Sequence, residues 1–468
     1  MTKISSFQSY DKRTLQPSPW SGLPRNDTSR IYSKSDLLGS GLTMQHFDFV
    51  IIGAGPAGLA ARQRLEDEGC SVALIDAGKP LSQRSRGNEK ELATGYGGAG
   101  LFSDGKFSFF PSATRLWQLG HQDALRASYD WVQALLKQHG LDSPPYPEIG
   151  LSDAAAQGRW ALKEYPSSYL PLSSRFELIT SLLAGSQSVS FDETIVEDLN
   201  FSRESQLFGV RLVQTHGIRS VITARYVIVA TGRFGPLSFP GLFLNKHFQR
   251  LEVGFRIEQP SDRAFFANVK QLDPKFCFRD DAKALEWRTF CVCREGTTAL
   301  AHVNGLWAVS GHSDCAPTCN SNVGFNTRIL DEAVASRNLP HLTGAMKDKG
   351  CHFKVPLRDV LAHKKSTLDI FHRVYGPELS ESMIVGLRHL IAQFPSIDHE
   401  TTNLIGPTLE GVGWYPVLDD YLSLRDVPAW VAGDACGLFR GIVAALISGH
   451  YSASEALRKF KLEETIAA

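Results

Sequence analysis

Three short stretches of this 468-residue chain carry residue types at spacings suited to holding a dinucleotide. The first is Gly53, Gly55 and Gly58, at G-x-G-x-x-G spacing with Pro56 and Ala57 inside it. The first glycine of such a turn permits a tight reversal and the second lets backbone approach a pyrophosphate. The third lets a helix pack closely on the preceding strand. The helix start behind them turns unpaired N–H groups and a positive dipole end toward the phosphates. Asp76 stands eighteen residues after Gly58, near the distance at which a carboxylate reaches ribose hydroxyls, with a strand-end turn former as the plain alternative.

The second stretch, residues 95–108, reads Gly-Tyr-Gly-Gly-Ala-Gly-Leu-Phe-Ser-Asp-Gly-Lys-Phe-Ser. Five glycines in eleven residues do not suit a regular helix, so this is a loop whose backbone lies close to something. An ordinary glycine-rich connection is the bland reading. The functional one sets Gly98, Ala99, Gly100 and Ser103 against a cofactor ring, with Asp104 and Lys106 as polar groups beside it. The third stretch follows an apolar run at 430–432. Gly433 and Asp434 there match the pair that bonds the ribityl chain of FAD, and Gly437, Arg440, Gly441 and Ile442 open a helix toward the flavin pyrimidine edge. Negative charge gathers at that edge on reduction, and a positive helix end stabilises it. NAD has no ribityl chain to occupy that place. Thr231 and Gly232, after an apolar strand, put small residues where the cofactor's other side would pack.

Elements must carry these residues. Apolar runs at 49–52 and 71–75 read as buried parallel strands around the first glycine turn. A helical pattern follows from 115 to 140, with Leu116, Leu119, Leu125, Trp131, Leu135 and Leu136 as candidate buried positions, and a second helix is expected over 174–184. The period then changes toward strands at 188–191, 194–201, 207–215 and 219–224, which suggests a β-meander, and another strand follows at 226–230. Residues 236–405 depart from the nucleotide-binding pattern, with strands at 251–258, 288–294, 299–303 and 305–311 and helices at 365–375 and 380–393. The fold class expected is α/β: a Rossmann-like FAD-binding domain, parallel sheet with β-meander, plus an inserted α+β substrate domain. The FAD-binding domain would take 45–110, 186–235 and 406–468. The substrate or cap domain would take 111–185 and 236–405, and residues 1–44 would form a flexible N-terminal extension.

The whole composition narrows the class. Forty-nine basic and forty-nine acidic residues cancel, so nothing argues for nucleic acid as a partner. Apolar stretches are interrupted before reaching a membrane-spanning length, and the cytoplasm is the expected compartment. Eight cysteines in a chain this long do not suggest a disulfide scaffold. Cys291 and Cys293 fall on one face of a strand. Cys315 and Cys319, with His312 nearby, lack the usual zinc-ligand spacing. Buried reduced cysteine is the expectation, and no metal.

With these residues in view, the chain resembles the FAD-dependent oxidoreductases of the glutathione-reductase-like superfamily. More narrowly, it resembles a group of predicted FAD-dependent dehydrogenases with a GGAG-x-FSDGK loop, matched by Gly97 to Lys106. The likeness extends to Gly254-Phe255-Arg256-Ile257-Glu258, Asp273-Pro274-Lys275, Thr289-Phe290-Cys291 and Asn304-Gly305, and to Gly433, Asp434, Gly437, Arg440, Gly441, Ser448 and Gly449. Asp76 stands where relatives commonly have Glu, and Gly95-Tyr96 replaces a Gly-Glu pair. The resemblance implies FAD as cofactor and an arginine, Arg84, near the pyrophosphate.

The reading that results is an enzyme passing a hydride or electron pair between a small organic substrate and FAD, a dehydrogenase or reductase. Lys106 and Asp104 are the polar groups expected near the isoalloxazine, Arg256 the group for a substrate anion, and His312 and Tyr415 candidates for proton transfer. There is no second G-x-G-x-x-G, so NAD(P)H enters only as a transient reductant without its own domain. No C-x-x-x-x-C pair accompanies the flavin strand, which argues against disulfide reductase activity of that kind. A flavin monooxygenase using NAD(P)H and oxygen is the alternative. A non-catalytic escort or carrier on the same fold is the reading from another class.

Overall fold

The computed structural model describes residues 45–147, 159–239 and 241–467. The expected extension, 1–44, lies outside the described residues. The chain first builds β1 (His46–Ile52), whose Phe49, Val50 and Ile51 are buried on both faces as a central parallel strand requires. Helix α1 (Pro56–Glu66) follows with a proline in its first turn, where a missing N–H costs nothing. β2 (Val72–Ile75) returns parallel to β1, Phe49 opposite Val72 and Ile52 opposite Ile75.

The meander comprises β3 (Val189–Phe191), β4 (Thr194–Ser202), β5 (Leu207–Gln214) and β6 (Arg219–Val229). β6 is one strand where the sequence predicts two, at 219–224 and 226–230, because no glycine or proline interrupts a run rich in Val, Ile and Thr. Its first half pairs antiparallel with β5. Its second half runs parallel to β1 on one side and to Ala429–Val431 on the other. The order is therefore β3-β2-β1-β6-β5-β4, with Ala429–Val431 added beside β6. Helices α1 and α2 (Ile442–Ala467) cover this sheet, contributing Leu59, Ala61, Leu65, Leu446, Ile447 and Tyr451 to its core.

A second sheet, antiparallel throughout, is built from β7 (Lys246–Pro260), β8 (Lys275–Asp280), β9 (Leu285–Cys293), β10 (Asn320–Ile329) and β11 (Asn403–Pro416). Their order is β11-β7-β10-β9-β8, with Phe353–Pro356 outside β11 and Ala161–Lys163 outside β8. The expected domain edge at 406 falls inside β11, which pairs with β7 from Asn403 opposite Glu258 to Pro416 opposite Lys246. Gly406 and Pro407 are tolerated there because the ladder shifts register across from Gly254 and Arg256, where no regular bond is owed. Helices Glu332–Met346 and Lys365–Gln393 bury Leu339, Leu342, Phe371 and Leu387 in the second core. The latter bends at Gly376 (φ +75°), just before Pro377, so the two predicted helices at 365–375 and 380–393 are its two arms. A hairpin of Thr297–Val303 and Leu306–His312 turns at Asn304 and Gly305, both at positive φ as a two-residue type I′ turn requires.

Candidate functional site

The three glycine motifs meet. Gly53 lies at φ +108°, which lets the chain leave β1 beneath the carbonyl of Ala230. A Cβ on Gly58 would stand 1.8 Å from the Gly53 carbonyl oxygen, so helix and turn are in backbone contact. The start of α1 has no side-chain cap and no acid in its first turn, which leaves its N–H groups facing outward uncompensated. Asp76 closes the turn from the other side: the Ala54 N–H donates to it at 2.7 Å and the Gly78 N–H at 2.8 Å. Burial pushes its carboxyl upward, and those two bonds oppose the shift. The glycine-rich loop is tied to the same turn by Gly97 N–H donating to Ala54 O at 2.8 Å. Gly98, Ala99 and Gly100 form a short helical turn, and Ile442 Cγ1 lies 2.9 Å from where a Gly100 Cβ would stand. Gly433 completes the junction against the Ala57 Cβ, with its N–H donating to Ser448 Oγ at 2.9 Å.

Arg84 is buried, and its guanidinium donates to the carbonyls of Tyr96 (2.6 Å), Gly98 (2.9 Å) and Glu91 while lying 4.8 Å over the Phe102 ring. A buried guanidinium must find acceptors, and Arg84 finds them in the loop it shapes. Burial lowers its pKa to about 10. Ser103 Oγ donates back to Gly100 O, and Arg175 donates to the Ser103 carbonyl and pairs with Asp314.

The same loop carries a buried charge cluster on its far side. Lys106 Nζ lies 2.9 Å from Asp104 Oδ2 and 3.5 Å from Asp273 Oδ1, and donates to the Val292 carbonyl. Asp273 also accepts from Tyr165 Oη at 2.8 Å and from the Val292 N–H at 2.9 Å, with Lys275 Nζ 3.6 Å away. Burial raises both carboxyls, but the Lys106 ammonium together with the bond from Cys291 to Asp104, and with Lys275 and the bonds from Val292 N–H and Tyr165 to Asp273, holds each below the ordinary range. Lys106 is held protonated in turn: burial opposes its charge, and Asp104 and Asp273 prevail. Lys275 behaves differently. Burial pushes it down to about 8, aided by Arg288 and Arg440 and opposed by Asp273.

Lys275 therefore has a signed consequence. Its folded pKa lies below its unfolded one, so between about pH 8 and about pH 10.4 the unfolded chain binds more protons, and stability contributed at this site rises with pH. Urea unfolding of the parent protein and of Lys275→Met across that window is expected to show a rise that the variant lacks. Parallel curves would place Lys275 in water.

Arg256 is brought to the same cluster, yet it is buried and its donors are spent on protein. It bonds the Asn322 side chain, the Cys291 carbonyl at 2.6 Å and Cys293 Sγ at 3.5 Å. Gly311 makes room for it, since a Cβ there would stand 2.2 Å from the guanidinium. His312, at the end of the hairpin, turns its Nε2 to Ser310 Oγ at 2.9 Å. Burial, with Arg86 and Arg256, pushes it down to about 4, so it is neutral at physiological pH. Tyr415 stands elsewhere: its ring packs on Gly437 and its hydroxyl accepts from the Val412 N–H at 3.1 Å. Burial and nearby Asp434 raise its pKa. Asp434 is flanked by Arg440 (3.4 Å) and Arg233 (3.5 Å), both also paired with Glu410. Sequence reasoning did not place Tyr165, Asp273 or Lys275 in the site. Asp273 is 167 residues from Lys106, and the Asp273-Pro274-Lys275 run that leads into β8 carries a family likeness but no spacing that assigns it a role.

Residues 48–178 match the family model of FAD dependent oxidoreductases, DAO. The match spans β1, α1, β2 and the glycine-rich loop. No curated protein matches the chain. Among solved structures, a flavoprotein/dehydrogenase from Cytophaga hutchinsonii is 14% identical, with 89% of this chain and 79% of that one covered, at a TM-score of 0.41. A geranylgeranyl bacteriochlorophyll reductase-like protein from Thermoplasma acidophilum is 10% identical, with 90% and 80% covered and a TM-score of 0.40. The p-nitrophenol 4-monooxygenase from Pseudomonas putida is 13% identical, with 90% and 82% covered and a TM-score of 0.39. The fold is mixed α/β with a Rossmann-like parallel sheet, and the family match supports FAD as the cofactor. The residues fit it. Besides the open start of α1, Thr231, whose backbone N lies beside Gly53, buries a hydroxyl that stands against Gly235 and finds no partner among the described residues. No helix among the described residues is long and apolar enough to cross a membrane.

Proposed function

We propose that this protein is an FAD-dependent dehydrogenase or reductase that moves a hydride or electron pair between a small organic substrate and the flavin, with NAD(P)H as a transient reductant. One observation carries the reading. A single loop, residues 95–108, meets the dinucleotide turn through Gly97 and α2 through Gly100, and presents Asp104 and Lys106 to a buried cluster of acids and lysines. Bound in the cradle, FAD would supply the two-electron chemistry. Gly53, Gly55, Gly58 and Asp76 hold its ADP half and Asp434 its ribityl chain, with Gly441 and Ile442 at the helix start behind. Arg84 keeps the loop in shape. Lys106 helps hold Asp104 and Asp273 ionised, and Lys275, which burial brings down to about 8 and which stands 3.6 Å from Asp273, is the group placed to hold or move a proton. Packing of Gly100 on Ile442 and of Gly433 on Ala57 excludes water from the junction.

The test is the absorption spectrum of purified protein before and after anaerobic NADPH, and again after air. A flavin band bleached by NADPH and restored by oxygen supports a reductase or a monooxygenase. A flavin band indifferent to NADPH supports a dehydrogenase reduced by its own substrate. Protein that stays colourless after incubation with FAD sinks the reading.

A further inference from the structure

β9 ends in an irregularity that the flavin reading does not use. Phe290 pairs with Gly324, but the next paired residue is Cys293, opposite Asn322, so β9 carries one residue more than β10 across this step. Cys291 sits in that bulge at φ +49°, a left-handed conformation rare for a side chain without Asn or Gly character. The bulge brings Cys291 Sγ to 3.9 Å from Cys293 Sγ. In a flat strand, Cα atoms two residues apart are separated by about 6.8 Å. That is the far limit of what a disulfide spans, about 4.4–6.8 Å, yet here the sulfurs already converge.

Their surroundings differ in a way that suits a thiol and a thiolate. Cys291 donates its S–H to Asp104 Oδ2 at 3.1 Å, while the Arg256 guanidinium lies 3.5 Å from Cys293 Sγ. The neighbouring Cys291 sulfur and the charges of Arg256 and Lys106 lower Cys293. The neighbouring Cys293 sulfur, burial and the Asp104 carboxylate raise Cys291. Asp104, Cys291 and Cys293 also form a set of possible metal ligands within 4.8 Å of one another, but the ammonium and guanidinium that face it oppose a cation.

We infer that Cys291 and Cys293 are a redox-active dithiol that exchanges an electron pair with the flavin held by the adjoining loop. The inference rests on the flavin reading for its electron partner. In oxidation, the Cys293 thiolate sulfur bonds to the Cys291 sulfur and the Cys291 S–H bond breaks. Its proton passes to the Asp104 carboxylate, and two electrons leave to oxidised flavin. In the reverse direction, reduced flavin returns the electrons and the disulfide opens to one thiol and one thiolate.

The experiment has two readouts on the full chain. First, anaerobic protein, with and without flavin, is equilibrated in buffers of reduced and oxidised dithiothreitol, trapped with N-ethylmaleimide and digested. Expected is a single two-electron transition in which the peptide holding Cys291 and Cys293 loses two hydrogens and escapes alkylation. Second, dithionite titration of air-oxidised holoprotein is expected to consume four electrons per chain, and two in Cys293→Ser. Thiols that remain alkylatable in every buffer overturn the inference, as does a bound zinc ion that shields them. Protein without flavin removes the proposed function and with it the electron partner, while the mass-spectrometric transition, read in its absence, still decides whether the pair is a redox-active dithiol. Should Cys293→Ser not fold, the unaltered chain still decides.

Discussion

Lys106→Met is expected to destabilise the folded protein by about 3–5 kcal/mol at pH 8, the range for removing one partner of a buried ion pair. The side chain is 6% exposed and separates two carboxylates, Asp104 at 12% and Asp273 at 7%. Methionine keeps most of the volume, so packing is nearly conserved and charge is what changes. Without the ammonium, Asp104 and Asp273 face each other in a site that burial makes hostile to both, and at least one must take up a proton to remain inside. Its folded pKa then exceeds the unfolded one. The stability lost grows as pH rises through that value and shrinks toward pH 5. Urea unfolding at the two pH values checks both size and sign. A cost below about 1 kcal/mol at each would mean a solvated surface pair.

The same cluster shows where the sequence stops being legible. The dinucleotide turn is readable because its chemistry is local: Gly53, Gly55, Gly58 and the Pro56 start of α1 lie within six residues, and each has a steric reason to be what it is. The glycine-rich loop is readable as a close approach for the same reason. The cluster around Lys106 is not, since Asp273, with Tyr165 on Asp273 and Cys291 on Asp104, comes in from separate strands or connections whose pairing is set by the whole second sheet. Arg256 shows the limit of reading charge as function. An arginine in a strand suggests a ligand for an anion, but here, paired opposite Gly324, its side chain reaches Asn322 and fills the gap at Gly311 beside the bulge. Likewise β11, which contains Gly406, Pro407, Gly411 and Gly413, crosses the domain edge that the sequence predicts at 406. It is held as a strand by partners on both sides.

Two glycine-to-alanine changes are expected to have opposite signs, and the contrast isolates what the dinucleotide turn requires. Gly344 lies exposed in the helix Glu332–Met346, and a methyl added there would meet nothing within 4 Å. Alanine at this position should stabilise by about 0.5–1 kcal/mol through the lost backbone freedom of the unfolded chain. At Gly58 the same methyl would stand 1.8 Å from the Gly53 carbonyl oxygen, 3.0 Å from its carbon and 3.3 Å from Ile51 Cγ2. These are largely backbone atoms of the turn itself, and no rotamer can clear them. Relief requires α1 to lift from β1, so the cost belongs at or above the top of the usual range for overpacking, about 3 kcal/mol. Lifting α1 also moves the uncapped N–H groups at its start away from the place where a pyrophosphate is held. Gly58→Ala is therefore expected to purify without a flavin band and to melt earlier, while Gly344→Ala keeps the band and melts later. A yellow, stable Gly58→Ala protein would mean that the closeness of helix and turn is not what holds the cofactor.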